Sequence, residues 1–226
     1  MNPYDHARSS VVAHGGRWED YHALHAWFDA TKAVRCHYTH RALRHHQEGI
    51  GEAIDVFGDV VVNSDGARIG VGDLGRQHLL EDCPFAPEAK DWVVDMATPT
   101  WLAGTRRTPE EMAVLSARRY GGSADAYLPL HRWFMATRTW VEGDRHLMFR
   151  HHAFGSFEAE ARFGPVIAWP GGGVPTRVVA ERHIQDMIGR VPTAHDWLRC
   201  VKGQRWMLQA TSPAKLGLDE VTALAA

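Results

Sequence analysis

The chain carries one pattern twice. Shifting Tyr21 to Gly58 by 106 positions lays it on Tyr127 to Gly164, and 16 of the 38 positions are identical. His25 falls on His131, His40 on His146, His45-His46 on His151-His152 and Glu52 on Glu158. After a one-residue deletion His78 falls on His183, Glu81 on Asp186, Asp91-Trp92 on Asp196-Trp197 and Trp101 on Trp206. A repeat of this kind restricts the chain to two similar lobes, each with its own core. Ten of the 15 histidines belong to these pairs. Imidazoles carried in duplicate beside acids point to metal ligation or proton transfer.

The pattern reads as a mainly α (α+β) chain of two tandem pseudo-symmetric lobes. Residues 1–17 are polar and small and read as a loosely held extension; lobe 1 spans 18–102 and lobe 2 spans 124–208. The linker 103–123 carries a helix opened by Thr108-Pro109-Glu110-Glu111, a cap followed by proline and acids at the positive dipole end. In the tail 209–226, Ser212-Pro213 is expected to cap a last helix through Leu224. Each lobe is expected to hold a helical pair, a small β-hairpin and short helices. In lobe 1 the pair covers Asp20–Val34 and His40–Phe57, the latter stopped by Gly58. The hairpin is Val60-Val61-Val62, the turn Asn63-Ser64-Asp65-Gly66, then Ile69 and Val71. Short helices carry His78 and open at Asp91-Trp92.

At 100° per residue along a continuous second helix, His45, His46, Gly49, Glu52, Ala53 and Phe57 share one arc. All six recur in lobe 2. Tyr21, Leu24, His25, Phe28 and Thr31 form a similar face on the first helix. Packing these faces together sets His25 opposite His45 and Glu52. The expected metal ligands are therefore His25, His45 and His78, repeated as His131, His151 and His183. Glu52, Glu81, Glu158 and Asp186 are the carboxylates that would ligate or activate water. His40, His46, His146 and His152 take supporting roles, although periodicity leaves open which of His45 and His46 points inward. Arg44 and Arg150 read either as anion clamps or as surface ion-pair partners. Lobe 1 also keeps Asp29, Glu48 and Asp82 where lobe 2 has Met135, Phe154 and Met187. Lobe 2 is accordingly the one expected to be degenerate.

Imidazole and carboxylate donors suit a divalent transition metal: Zn, Fe, Mn or Ni. Cys36, Cys83 and Cys200 are replaced by unrelated residues in the other copy and are not read as ligands. The first functional reading is a metal-dependent hydrolase acting on a small molecule, with one site per lobe. Two His and one carboxylate also fit a non-haem iron oxygenase. A non-enzymatic, metal-stabilised interaction module, its lobes paired about a pseudo-two-fold axis, is the third reading, and a metal-free polar core the fourth. An enzyme requires an open coordination position beside a cleft, and a structural site closed coordination. The formal net charge is −2, so no basic field for nucleic acid exists. No apolar run is long enough to cross a bilayer and no signal-peptide core is evident, so the chain is expected to be cytoplasmic.

The run Arg41 to Ile50, then Asn63-Ser64-Asp65-Gly66, Gln77-His78 and the Asp-Trp pair, resembles a small histidine-rich domain family of unknown function. The resemblance is to what looks like a single-copy domain found in bacteria and their phages. Lobe 2 carries the resemblance through Arg145-His146, Arg150-His151-His152 and Gly189-Arg190-Val191-Pro192-Thr193. The resemblance implies a fusion of two copies of a domain that elsewhere stands alone. It implies no mechanism.

Overall fold

The computed structural model describes residues 1–218. They form two units: Met1–Val94 together with the chain from Gly203, and Asp95–Lys202. The first unit contains α1 (Pro3–His14), α2 (Glu19–Asp29), α3 (Gln47–Phe57), a hairpin of β1 (Val60–Val62) and β2 (Arg68–Gly70), then α4 (Val71–Asp82) and α5 (Ala89–Val93). Short 3-10 segments, Ala30–Ala33 and Tyr38–Leu43, join α2 to α3. The second unit repeats the order: α6 (Pro109–Tyr120), α7 (Ala124–Ala136), α8 (Ala153–Phe163), β3 (Val166–Trp169), β4 (Gly172–Pro175), α9 (Thr176–Ile188) and α10 (Ala194–Leu198). The hairpins are antiparallel, with Val61 opposite Ile69 and Ile167 opposite Val174. The tail holds a 3-10 turn at Pro213–Leu216; the rest of the helix expected through Leu224 lies outside the described residues.

The segment 1–17 is not loose. Asn2 caps α1 through its side chain, which accepts from the Asp5 amide at 2.9 Å, and Pro3 occupies the first turn. Helix α1 buries His6, Ala7 and Ser10, and Ala7 joins the core made by Tyr21, Leu24, Phe28, Ala53, Ile69, Val71, Leu74 and Leu79. The expected linker helix forms as α6 with a full capping box between Thr108 and Glu111. It is the repeat equivalent of α1, so the helix taken for a linker opens the second copy.

The second predicted helix, His40–Phe57, is broken. A 3-10 turn ends at Leu43, and α3 starts only at Gln47 with His46 in an extended conformation as its cap. His46 Nδ1 accepts from the Gly49 amide at 3.0 Å. A Cβ at Gly49 would stand 2.1 Å from the Arg44 carbonyl oxygen, so the returning chain requires glycine there. His152 and Gly155 repeat the arrangement, with a capping distance of 2.8 Å. His45 and Glu52 therefore do not share a helical face.

Each unit is closed by a segment from the other copy of the repeat. Trp206 meets Trp92 edge-on with ring centroids 4.7 Å apart, and in the second unit Trp101 meets Trp197 at 4.8 Å. Trp101 and Trp206 are repeat equivalents, as are Trp92 and Trp197. Each buried indole also ties down the site segment: Trp92 Nε1 donates to the His45 carbonyl at 2.9 Å and Trp197 Nε1 to the His151 carbonyl at 2.8 Å.

Candidate metal centre

Helical spacing delivers the site. The buried stripe of α2 runs Tyr21, Leu24, His25, Phe28 and Asp29, so His25 and Asp29 lie one turn apart. On α4 the stripe runs Val71, Leu74, Gly75, His78, Leu79 and Asp82, which sets His78 and Asp82 one turn apart. Helix α1 adds His6, and the break before α3 turns His45 inward. All four histidines are fully buried.

His78 stands between two other imidazoles. Its Nδ1 is 3.0 Å from His25 Nδ1, and its Nε2 is 3.0 Å from His45 Nε2. Beyond His25, Ser10 Oγ lies 2.9 Å from Nε2. At the other end His45 Nε2 approaches Asp82 Oδ2 at 3.2 Å and Asp29 Oδ1 at 3.6 Å. Those two carboxylate oxygens are buried and make no hydrogen bond of good geometry, His45 meeting them only at ion-pair distance, a costly state that a bound cation or water would relieve.

Two groups of donors could hold a metal ion, and among the described residues both lie in the first unit: His6, His25 and His78, and Asp29, His45, His78 and Asp82. In each group the donor atoms lie within 4.8 Å of one another. Electrostatics favours the second group. Burial opposes ionisation of Asp29, yet the adjacent His45 and Lys32 bring its carboxyl down to about 2. Burial likewise opposes ionisation of Asp82, but His45 and His6 outweigh it and hold the carboxyl well below its ordinary range. Burial, then the neighbouring imidazoles, holds His78 neutral. Ionised carboxylates and a neutral imidazole are the forms that ligate. His6 differs: burial disfavours its charge, but hydrogen bonds to Asp82 and Glu81 prevail and raise its pKa. It sits 2.6 Å from Glu81 through Nδ1, as a partner for a carboxylate.

Of the expected ligands, His25, His45 and His78 come together, arranged in line across His78 rather than around one point. Glu81 accepts from Ser9 at 2.5 Å and Gln77 at 2.8 Å besides meeting His6, and belongs to neither group. Glu52 is half-buried on α3 and also outside both. His46 and His152 are helix caps. His40 and His146 each meet a threonine hydroxyl, Thr31 or Thr137, at 2.9 Å. Arg44 and Arg150 are not on the surface: both are buried, donate to the Trp27 and Trp133 carbonyls, and lie 4.1 and 4.3 Å over those indole rings.

The second unit keeps the line of imidazoles and loses the acids. Ser116, His131, His183 and His151 follow one another at 2.9, 2.9 and 3.2 Å. His6, Asp29 and Asp82 are replaced by Met112, Met135 and Met187, which pack into one buried apolar cluster. Leu147 stands where the first unit has Arg41, whose guanidinium meets Asp82 at 3.0 Å. Asp186 is taken up by Arg182 at 2.8 Å and Arg119 at 3.4 Å, and Glu158 remains half-buried on α8. Among the described residues, no second-unit carboxylate joins its histidines in a group that could hold a metal ion. His6 was the residue missed from sequence; shifting Asn2-Pro3 onto Thr108-Pro109 by the same 106 positions exposes it.

The molecule is thus a helical, histidine-rich module present twice in one chain, with the acids of the site confined to the first copy. The chain belongs to the family described as Domain of unknown function (DUF6915), which matches residues 1–102 and again 107–207. No curated protein and no solved structure matches it. No helix among the described residues is long and apolar enough to cross a membrane.

Proposed function

We propose that the protein is a metal-binding protein whose first unit holds one divalent transition ion on Asp29, His45, His78 and Asp82. The second unit is its metal-free counterpart. One observation carries this reading: two buried carboxylate oxygens that make no well-formed hydrogen bond converge with two imidazole nitrogens. Two nitrogens and two oxygens suit Zn, Mn, Fe or Ni. The ion would act chiefly as a staple joining α2, the segment before α3, and α4. A hydrolase working through metal-activated water needs a coordination position open to substrate. The four ligating residues are at most 4% exposed, which favours closed coordination and the non-enzymatic module.

The test is elemental analysis of the untagged full chain purified without chelators. The expected result is about one equivalent of a transition metal. It should be lost in Asp29→Met and in the fourfold variant His6→Met, Asp29→Met, Arg41→Leu, Asp82→Met. That variant copies residues the second unit already accommodates, so loss of metal would not merely report unfolding. Below about a tenth of an equivalent, with no rise in Tm on adding Zn, Mn, Fe or Ni, the reading fails.

A further inference from the structure

The second unit contains a cavity of about 300 Å³ lined by Arg106, Arg107, Arg138, Glu142, Asp144 and His146, with Met135 and Val141 among its apolar walls. That volume lies at the lower end of small-ligand pockets. Its charge is unbalanced. Arg106 grips Asp144 with two hydrogen bonds of 2.9 Å, and three guanidiniums share the lining with two carboxylates, Glu142 and Asp144. Among the described residues, neither Arg107 nor Arg138 has a carboxylate within ion-pair distance. The first unit shows why Arg138 is released. Its equivalent, Lys32, is bound to Asp29 at 2.7 Å and to the Met1 carbonyl at 2.9 Å. With Met135 in place of Asp29, the cation in the second unit loses its acid.

His146 supplies a further polar group. The Thr137 hydroxyl has the Phe134 and His146 carbonyls as acceptors at 3.4 and 3.1 Å; with its single proton on either of them, His146 Nδ1, 2.9 Å away, donates to the hydroxyl oxygen. Burial, reinforced by the charge of Arg138, keeps the ring neutral near pH 7. Nε2 is then an acceptor. We propose that this cavity binds a small oxyanion carrying a hydroxyl: Arg107 and Arg138 take the anionic oxygens and His146 Nε2 accepts from the hydroxyl. Paired guanidinium donors are well matched to such oxygens. The site is separate from the carboxylate cluster of the first unit and does not depend on a metal there.

Titration calorimetry of the full chain at pH 7 tests this with two probes, hydrogen phosphate, which carries a hydroxyl, and sulfate, which does not. Phosphate is expected to bind saturably with a Kd of about 1 mM or tighter, and sulfate several-fold more weakly. Arg107→Gln and Arg138→Gln should each weaken phosphate about tenfold, the loss of one charge-assisted contact. Arg132→Gln, at an exposed guanidinium paired with Glu110, should change nothing. Asp29→Met should also bind phosphate normally, which separates this site from the metal proposal. No saturable phosphate binding up to about 10 mM, or unchanged affinity in both cavity variants, would overturn the site. Sulfate bound as tightly as phosphate would overturn the hydroxyl contact to His146.

Discussion

Asp82 Oδ2 stands 3.2 Å from His45 Nε2, although the two lie 37 positions apart in the chain. The other oxygen of Asp82 meets Arg41 at 3.0 Å and the Met1 amine at 2.8 Å. One buried carboxylate thus serves both the metal group and a charge network. Removing it alone, as in Asp82→Met, leaves the Arg41 guanidinium buried without its acid and should cost about 3–5 kcal/mol. The fourfold variant described above removes charges and partners together, and apolar replacement of a whole network is often neutral or stabilising. Urea denaturation under metal-free conditions should therefore rank the fourfold variant above Asp82→Met. The reverse order would show that the network does not behave as one unit.

His46 is expected to matter for stability and not for metal. His46→Ala removes the acceptor for the Gly49 amide and should lower stability by about 1 kcal/mol, while metal content stays at the wild-type value. His46→Asn, another side chain able to cap, should recover part of the loss. A fall in bound metal equal to that seen with Asp29→Met would instead make His46 a ligand.

Acid should destabilise the second unit through its histidines. Burial, opposed only weakly by Asp186, brings His131 down to about 4, and burial with the charge of Arg138 does the same for His146. Unfolded, both titrate near 6.5. Between these values the unfolded chain binds more protons, so stability is complete above pH 6.5 and falls as the pH drops towards 4. The slope is at most about 1.4 kcal/mol per pH unit for each ring. Urea midpoints measured across this window should decline steadily for the wild type, and less steeply for His131→Gln. Midpoints independent of pH would contradict the burial of neutral imidazoles.

Trp206 should stabilise the unit that contains Trp92, not the unit that precedes it in sequence. Trp206→Ala is expected to cost roughly 1 kcal/mol or more from the lost aromatic pair. Amide exchange should accelerate within Met1–Val94 and stay unchanged within Asp95–Lys202. Trp101→Ala should give the opposite map. Each substitution loosening its own copy of the repeat would refute the exchange of closing segments.

The two-copy architecture and the three imidazoles of each line were legible in residues that recur, and the hairpins and the α6 cap in local turn and capping signals. The errors have physical causes. The projection through His45 assumed one helix from His40 to Phe57, but the close return of Gly49 upon the Arg44 carbonyl breaks it, and periodicity does not detect a capping histidine. Residues 1–17 looked loose because α1 has few apolar side chains; its buried face consists of His6, Ala7 and Ser10. Asp29 and Asp82 were visible as acids peculiar to the first copy. Their meeting point could not be read, because it depends on where α2 and α4 come together.

The exchanged closing segments also set an order of construction. Chains emerge from the ribosome N-terminus first and domains generally fold as units on the way out. Every part of the second unit, Asp95–Lys202, is available before Gly203 is added. The first unit must wait for Trp206 to cover Trp92, the same indole that holds the His45 carbonyl. The half of the molecule that is translated first is therefore the half that is completed last, when Trp206 arrives against Trp92.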